Sequence, residues 1–348
     1  IGRKPVIIGG LLVFAFGSVV AAQAESIHLV ILGRALQGAG AIAAAIMALV
    51  ADLTREEHRI KAMALIGMSI GLSFALALIL GPVLDRWVGV PGIFWITAVL
   101  ALAGILVVGF VVPRPPLARM HREAEAVPAQ FGRVLRNPDL LRLDFGILVL
   151  HMVLTASFVV LPLVLRDQAG LDAASHWQVY LPVLVGSVLA MLPFIILAER
   201  KGRIKPVFLG AVALLVVAEA GLFLISPTLM HVVFLLFVFF VAFNLLEAML
   251  PSLISRVAPV GCRGTAMGVY SSSQFLGAFL GGALGGLVHG RFGMQAVFLF
   301  AALALLAWLV VALSMRVPRK LSNHIHRIGA VGPDGADSIR RELAAQAG

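Results

Sequence analysis

The feature that most constrains this chain is a succession of long apolar runs separated by short polar turns. Ten stand out, near residues 5–22, 28–51, 62–84, 91–112, 143–165, 177–198, 205–225, 230–254, 264–288 and 294–315. A hydrocarbon core about 30 Å thick needs about 20 apolar residues in a helix. Inside lipid the backbone must satisfy its own hydrogen bonds, which leaves helices or closed barrels, and runs of this length exceed a barrel strand. The pattern predicts an all-α integral membrane protein of ten spans. Composition agrees, with 61% hydrophobic and 13% charged residues, where a soluble domain carries about 25% charged. A chain this apolar has too few polar groups to cover a water-facing surface.

The charges orient the spans. Of 27 Lys and Arg, only Arg86, Arg166 and Arg291 fall in one set of alternate loops, Arg34 lies inside a span, and the other 23 lie on the opposite side. The basic side is cytoplasmic by the positive-inside rule, which puts both termini there. The net charge of +10 therefore sits in short loops at a membrane face, without the aromatic-interleaved basic surface of a nucleic-acid binder. The single cysteine, Cys262, excludes an intrachain disulfide and a multi-cysteine metal cage, and reads as a small packing residue. No phosphate-binding loop, His-Glu-x-x-His or Gly-x-Ser-x-Gly occurs, so neither an ATP-driven pump, an enzyme, a cofactor nor a metal is expected.

The longest loop, 113–142, is rich in Pro and Arg and divides the spans into two sets, 1–112 and 143–316, with a polar tail over 317–348. Residues 337–345 of that tail have the composition of one short helix. The two sets are related. Gly2-Arg3-Lys4-Pro5-Val6 recurs as Gly202-Arg203-Ile204-Lys205-Pro206-Val207, with one extra residue. Further on, an offset of 204 pairs Arg59 with Arg263, Ala62-Met63 with Ala266-Met267, Gly81 with Gly285, Gly89 with Gly293 and Phe94 with Phe298. Two spans precede the Gly202-Arg203 turn within the second set, and none precedes Gly2-Arg3. The repeat thus predicts a 6+6 helix protein of which this chain carries helices three to twelve.

The motifs resemble the major facilitator superfamily, whose fold is two six-helix halves around a midplane site. Ile1-Gly2-Arg3-Lys4-Pro5 resembles the end of its loop 2–3 signature, and Arg34-Ala35-Leu36-Gln37-Gly38-Ala39-Gly40 its helix-four motif, Arg-x-x-Gln-Gly-x-Gly. Gly81-Pro82 resembles the heart of the helix-five antiporter motif, although Asp85-Arg86 stand where that motif has paired glycines and Ala77 replaces another. The nearest resemblance is to the twelve-helix drug:proton antiporter branch. It implies that Arg34 and Gln37 face a central cavity, where Arg34 tunes a neighbouring acid. It also implies that Arg3 pairs with Asp52, an acid at the end of helix four, as a latch that breaks on conformational change. Glu199 stands at the pseudo-equivalent acidic position beside Arg203.

Other residues are candidates from chemistry alone. A charge at membrane depth normally faces a partner or a wet cavity, so Arg34 reads either as a helix-bracing, snorkelling cation or as a cavity residue. Asn244 and Glu247 lie at i,i+3 on one helix face, with Pro251 one turn on. Membrane acids serve proton relays, and Glu247 reads either as one or as a structural hydrogen-bonding group. Glu219 is a lonelier candidate, and Asp144 lies at a span mouth. His151, Tyr180 and the run Tyr270-Ser271-Ser272-Ser273-Gln274 offer further polar lining. Gly277, Gly281 and Gly285 follow a small-x-x-x-small spacing that lets helices approach closely, and Gly67 and Gly71 do so in the pseudo-equivalent span. Gly38, Gly40, Gly81 and Pro82 read as packing or hinge positions.

The resulting expectation is a monomeric, multi-pass secondary transporter of a bacterial inner membrane. It exports a small amphipathic, drug-like compound in exchange for protons by alternating access. A sugar or amino-acid facilitator and a non-transporting sensor of the same fold are the alternatives. Fold alone does not choose the cargo.

Overall fold

The computed structural model describes residues 3–40, 42–54, 59–113, 130–200, 202–224, 228–259 and 262–315. The elements in order are α1 (Arg3–Ala22), α2 (Ile27–Ala39), α3 (Ile42–Leu53), α4 (Arg59–Leu106), the short α5 (Phe131–Leu135), α6 (Pro138–Leu163), α7 (Trp177–Arg200), α8 (Ile204–Leu224), α9 (Leu229–Val257), α10 (Arg263–Phe292) and α11 (Met294–Leu313). The ends of α4 and α6 widen into π-helical turns, Val107–Val111 and Val164–Gln168. The described residues are helical apart from turns and caps, as lipid requires.

Seven described stretches are long and apolar enough to cross a membrane: Arg3–Ala22, Leu80–Val111, Pro138–Gln168, Ala173–Ala198, Ile204–Leu224, Leu229–Val257 and Met294–Leu313. The other three predicted runs are helical as well, each with a distinguishing feature. The run over 28–51 is covered by α2, to Ala39, and α3, from Ile42, and Gly40 at the end of α2 keeps helical backbone angles (φ −59°, ψ −29°). The run over 62–84 is the first part of α4. The run over 264–288 is α10, 30 residues long, whose glycines and serines make it the least apolar of the long helices.

Local sequence signals set several helix starts. Asn137-Pro138-Asp139 begins α6 within the stretch read as linker: the Asn137 side chain accepts from the amides of Asp139 (3.0 Å) and Leu140 (3.3 Å), and Pro138 occupies the first turn, where its missing N–H costs nothing. Ser26 caps α2 and Thr228 caps α9 in the same way.

Two features recur at the offset of the sequence repeat. Gly89 breaks α4 with φ 66° and ψ 175°, and Gly293 separates α10 from α11 with φ 86° and ψ 177°. Both backbones lie where a Cβ is strongly disfavoured, so each glycine is a turn that few other residues make. The second feature is a lysine. Lys4 Nζ donates to the carbonyl of Gly109 (3.3 Å), and Lys205 Nζ donates to that of Leu313 (2.9 Å). Gly109 and Leu313 are 204 residues apart. In each group an ammonium satisfies a carbonyl at the C-terminal end of the last long helix, the end that carries partial negative charge.

The apolar core is unevenly placed. One continuous buried cluster runs from Val134 to Met315 through α5–α11 and includes Leu143, Ile147, Phe208, Phe239, Phe298 and Trp308. Trp308 lies over Gly146 and meets Phe208 edge to face at 5.9 Å. Among the described side chains of α1–α4 the buried apolar ones are mostly alanines, among them Ala15, Ala21, Ala98 and Ala101.

Candidate functional site

Three helices of the second group meet around a polar rung. α10 lies against α6 along its glycine stripe. A Cβ on Gly277 would run into the backbone carbonyl of Leu148, one on Gly281 into that of Met152, and one on Gly285 would stand 2.8 Å from the Cα of Ala156. These positions advance by four on both helices, so the two backbones touch along two turns. Close approach is what small residues permit in a membrane, where burying apolar surface against lipid gains little.

On this seam Gln274 of α10 reaches across to both neighbours. Its Nε2 lies 2.8 Å from Nε2 of His151 on α6 and donates to Oε1 of Glu247 on α9 at 3.2 Å. The His151 Nε2 and the other Glu247 oxygen stand 3.9 Å apart. With the amide donating, the neutral imidazole carries its hydrogen on Nδ1. His151 also packs against the ring of Phe243, at 5.7 Å. The side chain of His151 is 14% exposed and that of Glu247 36%, although Oε2 of the acid is itself buried and has no hydrogen-bond partner among the described residues. One helical turn before Gln274, the Tyr270 hydroxyl is buried, as is Oδ1 of Asp144 on α6, and neither has a hydrogen-bond partner among the described residues.

The other candidates fall into separate places. Asn244 does not join Glu247: its amide donates to Ser187 of α7 at 3.0 Å, and Ser187 in turn donates to the carbonyl of Leu184. Residues three apart on a helix diverge by roughly 60°, enough for two neighbours to claim them. Glu219 of α8 is fully buried and accepts from Ser157 of α6 at 2.8 Å. Arg34 donates to Gln37 at 2.7 Å, Gln37 donates to Ser18 of α1 at 2.6 Å, and Ser18 donates to the carbonyl of Phe14. Gln37 and Ser18 are buried, whereas Arg34 is exposed in this chain.

For the latch, Arg3 begins α1, and the side chains of Asp52 and Glu199 lie outside the described residues. Arg203 is exposed; its carbonyl accepts from the amide of Val207, and its guanidinium has no hydrogen bond or ion pair among the described residues. Of the remaining glycines, Gly40 meets the carbonyl of Gly10, at 2.6 Å from a built Cβ, while Gly38 and Gly81 have nothing within 4 Å. Gly38 and Gly81 therefore give no close approach among the described residues. The effective pair to Gly40 on α2 is Gly33, which the motif does not contain: a Cβ there would lie 2.7 Å from the carbonyl of Gly17. Pro82 lies within α4, and the side-chain surroundings of Gly67 and Gly71 are outside the description.

Sequence reasoning missed Ser18, Ser157 and Ser187, each of which holds a polar side chain of another helix. A lone serine in an apolar span is the available signal, since it seeks a partner across the interface. It also missed the ion pair of Arg86 on α4 with Asp172, in the loop between α6 and α7, at 3.3 Å. That pair lies where the two groups meet, through contacts of α4 with α7 and with the 3₁₀ turn Ala173–Ser175, on the face opposite the basic loops.

A bundle of long apolar helices built as a repeat, with polar side chains bonded across its seams, defines a multi-pass membrane transporter. The chain belongs to the Major Facilitator Superfamily, whose sequence profile matches residues 1–282 and again 177–333. It is 51% identical over 323 residues to the inner membrane transport protein YajR of Escherichia coli, covering 93% of this chain and 71% of that protein. It is 26% identical over 301 residues to the multidrug resistance protein MdtH of Aeromonas hydrophila, covering 83% of this chain and 72% of that one. The fold is similar to the crystal structure of the human organic anion transporter MFSD10, with a TM-score of 0.64 at 21% identity over 89% of this chain and 77% of that one.

Proposed function

We propose that the protein is a proton-coupled secondary transporter that exports a small amphipathic compound by alternating access across a bacterial inner membrane. The observation that carries this reading is the rung of Glu247, Gln274 and His151: an acid and a base joined by one amide, on three different helices of an otherwise apolar bundle. When Glu247 is ionised, the Gln274 amide donates to it. When Glu247 is protonated, a half-turn of the amide lets its oxygen accept the new O–H, and the same turn lets it accept from an Nε2–H of His151. The protonation state thus reverses the direction of the amide's bonds to Glu247 and His151, while α6, α9 and α10 stay joined. A proton-driven cycle further needs the bound proton to have different contacts in the two conformations. Arg34, exposed on α2 of the first group, supplies a fixed positive charge for the cycle.

The alternation moves 1–112 against 138–316, with the linker before α6 and both termini on the cytoplasmic side and the Arg86–Asp172 pair closing the opposite face. The protein works as a monomer on lipid, protons and its substrate. An apolar lining with few charges suits a lipophilic cation or a neutral drug-like molecule, and the similarity to a multidrug resistance protein favours the same class. The test is flux in proteoliposomes holding the purified chain, with tetraphenylphosphonium as the probe. An imposed pH gradient is expected to drive its movement, and Glu247→Gln to reduce that driven flux by about tenfold or more, a loss of at least about 1.4 kcal/mol of coupling. Flux indifferent to the gradient would remove the antiport reading.

A further inference from the structure

Away from the polar rung, α7, α8 and α9 leave a groove of about 350 Å³ on the outer wall of the second group. Its floor is made of small residues. Ala211 and Ala242 are buried, and Gly210 has nothing within 4 Å of where a Cβ would stand. Its walls are Phe194 of α7 and Leu214 of α8, which are 42% and 39% exposed. At its mouth stands Arg203, the one charged residue of the lining among the described residues, immediately before α8.

The charges around the mouth are not equivalent. Lys205 is committed to the carbonyl of Leu313. The Arg203 guanidinium has no hydrogen bond or ion pair among the described residues, and the stretch 199–203 carries three cations, Arg200, Lys201 and Arg203, against one acid, Glu199. An exposed apolar furrow on a membrane protein is filled by hydrocarbon, since water there would face no polar partner. A guanidinium at the end of the same furrow matches phosphate with two parallel N–H donors. Basic pockets between helices at the membrane surface select acidic headgroups by this complementarity.

We propose that this groove binds one anionic phospholipid, its phosphate on Arg203 and one acyl chain lying over Gly210 between Phe194 and Leu214. The lipid bridges α7, which touches α4 of the first group, to α8 and α9. Its occupancy therefore stiffens the wall against which the two groups meet.

The test uses the purified full chain, delipidated in detergent and titrated separately with phosphatidylglycerol, phosphatidylcholine and inorganic phosphate. Bound lipid is counted by native mass spectrometry and thermal unfolding is followed in parallel. One phosphatidylglycerol per chain is expected to survive, with a preference of about fivefold over phosphatidylcholine from one Arg at the membrane surface. Arg203→Gln is expected to remove that preference while leaving neutral-lipid binding, and Gly210→Leu to weaken both lipids by occupying the chain site. Equal binding of the two lipids by the unmodified chain would overturn the proposal. So would a preference that survives Arg203→Gln, binding of both lipids unchanged in Gly210→Leu, or an effect reproduced by inorganic phosphate alone.

Discussion

The helices of the first group, α1–α4, and those of the second, α6–α11, solve the same packing problem with the same devices and carry different chemistry. Each group has a glycine seam: Gly10 and Gly17 of α1 against Gly40 and Gly33 of α2, and the Gly277, Gly281 and Gly285 stripe of α10 against α6. Each has a lysine on the terminal carbonyl of its last long helix and a positive-φ glycine between its last two helical stretches. The polar side chains do not repeat. Whether the offset in this region is taken as 202, from the caps Ser26 and Thr228, or as 204, an apolar residue (Leu236 or Val238) stands opposite Arg34 and an alanine (Ala45 or Ala43) opposite Glu247. The first group thus presents a permanent cation and the second a titratable acid. Packing devices survive duplication because both halves must cross the same bilayer.

The seams offer the sharpest test of this likeness. Gly281→Leu places a side chain against the Met152 backbone, and Gly17→Leu places one 2.7 Å from the Gly33 carbonyl. Neither obstacle is a flexible side chain, so each change is expected to cost more than the 1–3 kcal/mol or so typical of an overpacked core. Loss of monodisperse protein on size-exclusion chromatography is the readout, and Gly286→Leu, with nothing within 4 Å, is expected to behave as the unmodified chain. If only the α10 seam is sensitive, the groups are not packed alike.

The polar sites should then separate the two groups by function instead of stability. Glu247→Gln is expected to abolish gradient-driven flux with the fold retained. Arg34→Lys keeps a charge but loses the planar fork to Gln37 and should lower flux less, by severalfold. Equal losses would mean that the two charges act as one unit. Smaller effects are expected at the duplicated lysines. Lys4→Met and Lys205→Met each remove a charge from a helix C-terminus, a change of about 0.3–1 kcal/mol, read as similar small decreases in melting temperature. The least effect belongs to Arg86→Ala. Its pair with Asp172 is 63% and 73% exposed, and such pairs contribute about 0–1 kcal/mol. Its removal should leave stability unchanged and shift only the balance between open and closed forms, measurable by the distance between spin labels on α4 and α7.

Much of the fold was legible before the coordinates. Hydropathy located the helices to within a few residues, and the matched glycines at 89 and 293 proved to be matched turns. The start of α6 was missed by five residues, although Asn137-Pro138-Asp139 carries its own capping signal, because the surrounding charge made the stretch read as linker.

The site was only half legible. Arg34 and Gln37, three residues apart on one helix, could be paired from spacing, but their anchor Ser18 lies on another helix and no spacing reports it. Asn244 and Glu247 share a face by count, yet one is held by Ser187 of α7 and the other by Gln274 of α10. Sequence alone determined the membrane class, the approximate positions of the helices and the inventory of charges within them. These depend on local hydrophobicity and periodicity, which lipid turns directly into helices. Only the tertiary structure decided which helices touch along glycine, that Gln274 stands between His151 and Glu247, and that Arg203 is left at the mouth of an apolar groove. Those are contacts between residues tens to more than a hundred positions apart, where the rotation of each helix is set by its neighbours and not by its own pattern.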